Sequence, residues 1–515
     1  MSERDDTGVA AETVPMWARH LPSGLRWSDV DLLAGGTIPS VVAAGATSEP
    51  DRPMFHTPDA GWLSRGDLAE RSAAIAGRLH QAGLRAGDRL LCSAAPSAGL
   101  IATHLAALRL GLVVVPANSA YREAELAHVV GDARPSAALV DRDDAAGWIH
   151  AADPDVLVVG PDVDLPDGDP SALDVVDPSA PALIGYTSGT TGRPKGAVLS
   201  HRNLLSSVRA LQIAWRWTDA DRLVLALPLF HMHGLGVGVH GTMVTGASAV
   251  VLPRFDAGGV IGAASDHEAT MFFGVPTMYR RLVDHPDGSR LRTLRLCVSG
   301  SAPLDPELHT EVGEQLGQVV LERYGMTETM MLVSNPFDGE RRAGTVGIPL
   351  PGVEVALAGG GREGQIVVSG PNVFAGYWGR RDLDPVIFDE QGRFRTGDIG
   401  RFDDEGYLRI VGRSTELIIS GGFNVYPREV EDVLLADPLV ADAAVVGIPS
   451  PEWGETVVAF VVPTVGAEPD GDAIIGRVRD QLARFKCPRE IRFVETLPRN
   501  ALGKVERYRL RESDA

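Results

Sequence analysis

At 515 residues the chain exceeds what one hydrophobic core usually supports, so at least two domains are expected. Its composition, 44% hydrophobic and 23% charged, is that of an ordinary soluble globular protein, and a formal net charge of −20 argues against a nucleic-acid partner. Cys92, Cys297 and Cys487 show no paired spacing, which excludes a disulfide framework or a CxxC metal site and fits a reducing, cytoplasmic setting.

Residues 1–20 are polar, open on the acidic MSERDDTGVAAE rather than a signal peptide, and are expected to be disordered. From about Asp51 strand-like runs alternate with helix-period segments. DRLLCSA (Asp88 to Ala94) leads into a helical pattern after Pro96 and then VVVPA (Val113 to Ala117). The amphipathic EAELAHVVGDA (Glu123 to Ala133) precedes SAALV (Ser136 to Val140). This βαβ alternation, resumed in ALIGYTSG, RLVLALPLF, SAVVLP, ATMFFGV and LRLCVSG, indicates an α/β body of two layers with helices on the sheet faces. The longest apolar stretch, GLIATHLAALRLGLVVVPA, carries His104 and Arg109 centrally. A charge there would cost a membrane helix about 2.5–3.5 kcal/mol, so the stretch reads as a buried helix running into a strand and no membrane span is expected.

The texture changes near Gly352. VEVALAGGGREGQIVVSG alternates apolar and polar residues between glycines, as in a small antiparallel, barrel-like sheet. Beyond GRSTELIISGG come short strands and two helical stretches, Pro427 to Ala436 and Ala473 to Arg484. The expected organisation is therefore a large domain over 21–412 and a small, mobile α+β domain over 413–515, hinged close to Arg413. The sequence carries no signal for oligomeric state.

YTSGTTGRPKGA (Tyr186 to Ala197) has the makings of an anion cradle. Gly189 and Gly192 let backbone N–H groups approach closely, Ser188, Thr190 and Thr191 add hydroxyls, and Lys195 adds charge. It is not a Walker loop, because Pro194 and Gly196 flank the lysine. Runs of this composition also occur as plain surface loops. Here an apolar strand, ALIGY, delivers the loop and a helical segment begins near His201, which favours the cradle.

YTSGTTGRPKGA resembles the signature of the acyl-adenylate-forming superfamily, which includes acyl-CoA synthetases. Four further segments are similar to that family in its order: YGMTET (Tyr324 to Thr329), FRTGD (Phe394 to Asp398), GRSTELIISGGFNVYPREVE (Gly412 to Glu431) and PRNALGK (Pro498 to Lys504). The resemblance implies two-step chemistry, in which a carboxylic acid and ATP form an acyl-adenylate and pyrophosphate, and a thiol, coenzyme A, then takes the acyl group. It implies Lys504, Thr327, Glu328 and Lys195 as catalytic residues, with Glu328 holding Mg²⁺. Nucleotide binding is implied for Thr187, Ser188, Gly189, Thr190, Thr191, Gly192, Ser301, Ala302, Glu322, Arg323, Tyr324, Asp398 and Arg413. The family usually carries Asp or Lys at the hinge position occupied here by Thr415.

For the acid, PLFHMHGLGVG and ATMFFGVPTMYRRL are expected to line the acyl pocket. If Pro276 opens a helix, Arg280 and Arg281 lie about 100° apart, and only one faces the pocket. FHMHGL, GVPTMYRR and RYGMTETMM look most like malonyl-CoA synthetases. That likeness implies a distal carboxylate on Arg281, with His231, Ser299 and Met326 completing the pocket. The alternatives are solvated arginines in a synthetase for a fatty, monocarboxylic acid, or a non-catalytic nucleotide-binding scaffold. Arg428, Arg477 and Lys486 are candidates for the coenzyme A phosphates, or ordinary surface.

Overall fold

The computed structural model describes residues 14–169, 173–187, 194–414, 416–420, 423–450, 454–467, 469–482, 484–500 and 503–512. The body is α/β, built on two sheets. Six strands lie in the order Leu157–Val159, Ala137–Val140, Arg89–Ser93, Val113–Pro116, Pro181–Thr187, Lys195–Ser200, parallel except for the last pair. Nine strands form the second sheet, whose centre is the parallel set Leu321–Met326, Leu296–Ser299, Met271–Gly274, Arg222–Leu225, Ser248–Val251 and Pro53–Thr57. These strands are short, apolar and buried on both faces, as parallel strands covered by helices must be.

Helices Ala98–Leu110 and His201–Ala214 supply the filling, sharing one apolar core with residues of both sheets. The first runs into Val113–Pro116, as the apolar stretch 99–117 predicts. Its thirteen residues are too few for a bilayer, and among the described residues no helix is long and apolar enough to cross a membrane.

From Glu354 the chain forms a four-stranded antiparallel sheet, Glu354–Leu357, Glu363–Ser369, Phe394–Phe402 and Leu408–Arg413, in sequence order. A smaller C-terminal unit follows. Its sheet is built from Phe423–Val425, Ile418–Ser420, Gly454–Pro463 and Val440–Ser450, with Glu490–Phe493 parallel to the long central strand, and helices Pro427–Leu435 and Gly471–Arg479 cover it. Residues 16–20, expected to be disordered with the rest of the N-terminus, instead form a short helix, Met16–His20. The reason is packing. Arg19 donates to the Glu405 carbonyl, Arg216 donates to the His20 carbonyl, and the buried His20 ring donates to the Ile348 carbonyl at 3.3 Å.

Burial lowers the pKa of His20, His104, His201 and His231 to about 4. Unfolded histidines take up protons near pH 6.5, so below that value the unfolded chain binds more protons and the fold loses stability until the folded-state values are reached. The melting temperature should therefore be flat between pH 7 and 8 and fall as pH drops from about 6.5 towards 4. His20→Gln, which keeps a donor for Ile348, should flatten that slope in a calorimetric pH series.

Candidate functional site

The phosphate-loop motif is carried by a hairpin rather than by a strand-to-helix turn. Pro181–Thr187 and Lys195–Ser200 pair antiparallel, with Thr187 opposite Lys195 on the last rung. Helix His201–Ala214 follows directly, capped reciprocally by Ser200 and Asn203. Ser188, Gly189, Thr190, Thr191 and Gly192 lie outside the described residues. Lys195 Nζ sits 5.6 Å from the centre of the Tyr377 ring, and the Tyr377 hydroxyl donates to Glu328 Oε1 at 2.8 Å. Burial raises the Glu328 pKa, while the Tyr377 bond pulls it back. Gly185 is where Thr327 meets the hairpin. A Cβ there would stand 2.4 Å from Thr327 Cγ2, so only glycine permits that approach.

Beyond Thr327 lies a carboxylate node. Asp398 Oδ2 accepts from the Tyr324 hydroxyl at 2.5 Å, and Asp398 Oδ1 is 2.9 Å from Arg413 Nε. Strand register brings this about, since Asp398 and Arg413 are direct cross-strand partners. Lys504 reaches the same neighbourhood from the C-terminal unit. Burial and then the Arg413 charge lower its pKa, while Glu416 and Asp398 raise it. Its approach depends on Gly503, whose φ of +77° suits glycine and whose Cβ position lies 3.3 Å from Thr277 Cγ2. Lys195, Thr327, Glu328, Tyr324, Asp398, Arg413 and Lys504 are thus gathered along one path. Cations and carboxylates alternate there, an arrangement suited to a metal-bearing polyphosphate.

Strand Leu321–Met326 has a second face. Alternation turns Tyr324 towards Asp398 and Arg323 the other way. Arg323 is 4% exposed, and its Nε and Nη2 have no hydrogen-bond partner. Burial lowers its pKa to about 9, so it remains charged at pH 7. Its charge lowers the pKa of both His231 and His233, after burial itself. Ser299 Oγ and His233 Nε2 are likewise buried without partners, and Ser301 Oγ lies 3.4 Å from His233 Nδ1. Arg323, grouped with the nucleotide ligands on sequence, therefore sits buried beside His231 and His233. Glu322 accepts from the Leu304 backbone N–H at 3.0 Å, and burial raises its pKa to about 8. Ala302 sits half-buried in the same turn.

Pro276 does open a helix, Pro276–Val283, and the two arginines diverge as expected. Arg280 pairs with Glu311, whereas Arg281 borders a cavity of about 490 Å³ lined by Phe230, Phe255, Met278, Arg254 and Gly503 among others. Arg281 is exposed there, and His231, Ser299 and Met326 are not among the residues lining that cavity. Met326 packs on the main core. Arg428, Arg477 and Lys486 are each neutralised, by Asp432, Asp437 and Glu429. Thr415 lies outside the described residues. Tyr377 and His233 were not singled out from the sequence. Tyr377 is placed by a long-range bridge to Ala197, for which the local pattern gives no signal.

Two α/β layers, a phosphate-loop hairpin, an Asp–Arg node and a lysine delivered from a C-terminal unit define an adenylate-forming enzyme. The chain belongs to the AMP-binding enzyme family: residues 42–378 match the profile of that family and residues 429–504 match that of the AMP-binding enzyme C-terminal domain. It is 36% identical over 497 residues to a sulfoacetate–CoA ligase of Cupriavidus necator, covering 92% of this chain and 97% of the relative. ATP-bound MatB of Rhodopseudomonas palustris superposes with a TM-score of 0.87 at 38% identity, over 93% of this chain and 99% of that one. A malonyl-CoA ligase carrying methylmalonyl-CoA and AMP superposes with a TM-score of 0.64 at 41% identity, over 87% and 97%. Other relatives are named for ferulate and indoleacetate, at 36% and 33% identity. The protein is an acyl-CoA synthetase.

Gly185→Ala would drive a methyl into Thr327. A displacement near 1 Å at a reacting centre costs about 10²-fold, so ATP–pyrophosphate exchange should fall by roughly that factor. A crystal structure of the variant should show Thr327 shifted.

Proposed function

We propose that this enzyme activates a short acid bearing a second anionic group, malonate or methylmalonate, and passes the acyl group to coenzyme A. One observation carries the reading: Arg323 is a buried guanidinium with no counter-charge among the described residues. Removing the partner of a buried ion typically costs 3–5 kcal/mol, so a chain that keeps one unpaired is most simply understood if a ligand completes the pair. A planar guanidinium can grip a distal carboxylate bidentately, and Ser299, Ser301 and His233 add hydroxyl and imidazole groups beside it. We therefore assign the distal carboxylate to Arg323 rather than to the exposed Arg281. A sulfonate such as that of sulfoacetate would satisfy the same cation, and the relative bearing that name keeps it as the second reading. An alkyl or aryl acid would leave the charge desolvated, which argues against the monocarboxylate alternative.

In this reading a carboxylate oxygen of the acid bonds to the α-phosphorus of ATP, and the bond to the β-phosphate oxygen breaks, releasing pyrophosphate. Lys195 and the hairpin loop hold the β- and γ-phosphates, Thr327 bonds the α-phosphate, and Asp398 and Arg413 hold the ribose hydroxyls against Tyr324. Lys504 offsets the charge gathering at the α-phosphate. Mg²⁺ would fit the Glu328 carboxylate, which also accepts from Tyr377, together with phosphate oxygens, and would neutralise the departing pyrophosphate. Among the described residues no cluster of three or more His, Cys, Asp or Glu exists to hold a metal alone. The coenzyme A sulfur then bonds to the acyl carbon as AMP leaves. The cytoplasm is the compartment we infer, since all three cysteines are buried and free.

Pyrophosphate release with malonate, methylmalonate, sulfoacetate, acetate, butyrate, octanoate and ferulate tests the assignment. Arg323→Met should cut kcat/KM for the dianionic acids by about 10²–10³-fold, the range for truncating a buried charge partner, and Arg281→Ala should change it less than about threefold. Preference for octanoate or ferulate, with Arg323→Met active on them, would sink the dianion reading.

A further inference from the structure

Helix Glu123–Ala133 grips both legs of the phosphate-loop hairpin at its neck. His128 and Asp132 are four residues apart on that helix, so they project from one face, one turn from each other. Asp132 Oδ2 accepts from the Tyr186 hydroxyl at 2.5 Å, on the strand entering the loop. His128 Nε2 lies 2.9 Å from the Pro194 carbonyl, on the segment leaving it. A carbonyl only accepts, so Nε2 carries the proton and donates. The His128 and Tyr186 rings also meet edge to face, 6.1 Å apart. Burial, then the Asp132 carboxylate, raises the Tyr186 pKa and keeps the phenol protonated as the donor.

Both contacts flank the last paired rung, Thr187 with Lys195. A second segment also holds the hairpin. The Trp378 N–H donates to the Gly196 carbonyl at 2.7 Å, and a Cβ on Gly196 would meet Ile184, Tyr186 and Trp378. The neck is therefore held by the Tyr377–Trp378 segment, which also carries the contact to Glu328, and by this helix. Without the helix contacts the Thr187–Lys195 rung, and with it the Lys195 ammonium, would be held by the Tyr377–Trp378 segment alone.

We propose that His128 and Asp132 are positioning residues for the nucleotide: as a pair, one helical turn apart, they fix the neck of the hairpin, and with it the Lys195 ammonium that meets the β- and γ-phosphates of ATP. The proposal rests on the adenylation reading, and it predicts an effect confined to nucleotides long enough to reach Lys195. AMP, which ends at the α-phosphate, should not feel it.

The test is calorimetric binding of MgATP and of AMP to the full-length protein, without acid or coenzyme A, so that the identity of the acid does not enter. Tyr186→Phe, Asp132→Ala and His128→Leu should each weaken MgATP about fivefold, the size of one net hydrogen bond, and leave AMP unchanged. Tyr186→Phe combined with Asp132→Ala should be no worse than either alone, since both remove one bond. His128→Gln, whose amide can still donate to Pro194, should restore MgATP binding. MgATP and AMP weakened together, or neither weakened, would overturn the proposal. An unsubstituted protein that binds neither nucleotide would defeat the adenylation reading itself.

Discussion

The Asp398 carboxylate accepts from Tyr324 and pairs with Arg413, so one buried anion joins the nine-stranded sheet, the antiparallel sheet and the point where the chain leaves for the C-terminal unit. Most of the site depends on that junction. Tyr324 fixes the strand that also carries Arg323, and Arg413 contributes the charge that, after burial, most lowers the Lys504 pKa. A carboxylate in this position is stable because both partners lie at hydrogen-bonding distance, and any substitution would leave a buried donor or cation unmatched.

The period of a β-strand keeps two polar environments apart. Along Leu321–Met326 successive side chains point to opposite faces, so Tyr324 serves the Asp398 node while Arg323 looks towards His231 and His233. Only one thin layer of backbone separates the two environments. The net charge of −20 makes the placement of cations informative. Among the described residues few arginines are buried, and Nε and Nη2 of Arg323 have no hydrogen-bond partner there.

Close backbone approach does the remaining positioning. Gly185 admits Thr327, Gly196 admits Trp378, and Gly503 lets the Lys504 turn lie against Thr277. In each case a side chain would occupy space already filled by a group of the site, so these glycines set distances as well as turns.

The α/β alternation and the antiparallel segment after Gly352 were legible in the sequence, because period and turn residues are local properties, while the grouping of Lys195, Glu328, Asp398, Arg413 and Lys504 was implied by the resemblance of five motifs to a known family. Even the divergence of Arg280 and Arg281 followed from helical geometry alone. Which guanidinium is desolvated was not legible. Burial is decided by what packs above a residue, and the Gly300–Ser301 turn over Arg323 comes from another strand. Tyr377 was hidden for the same reason, reaching Lys195 and Glu328 across long sequence separations. The sequence by itself determined the architecture and the phosphate chemistry, since both are written in residue type and spacing. Only the tertiary structure decided which charge is left without a partner, because that depends on distances between segments that no local pattern records.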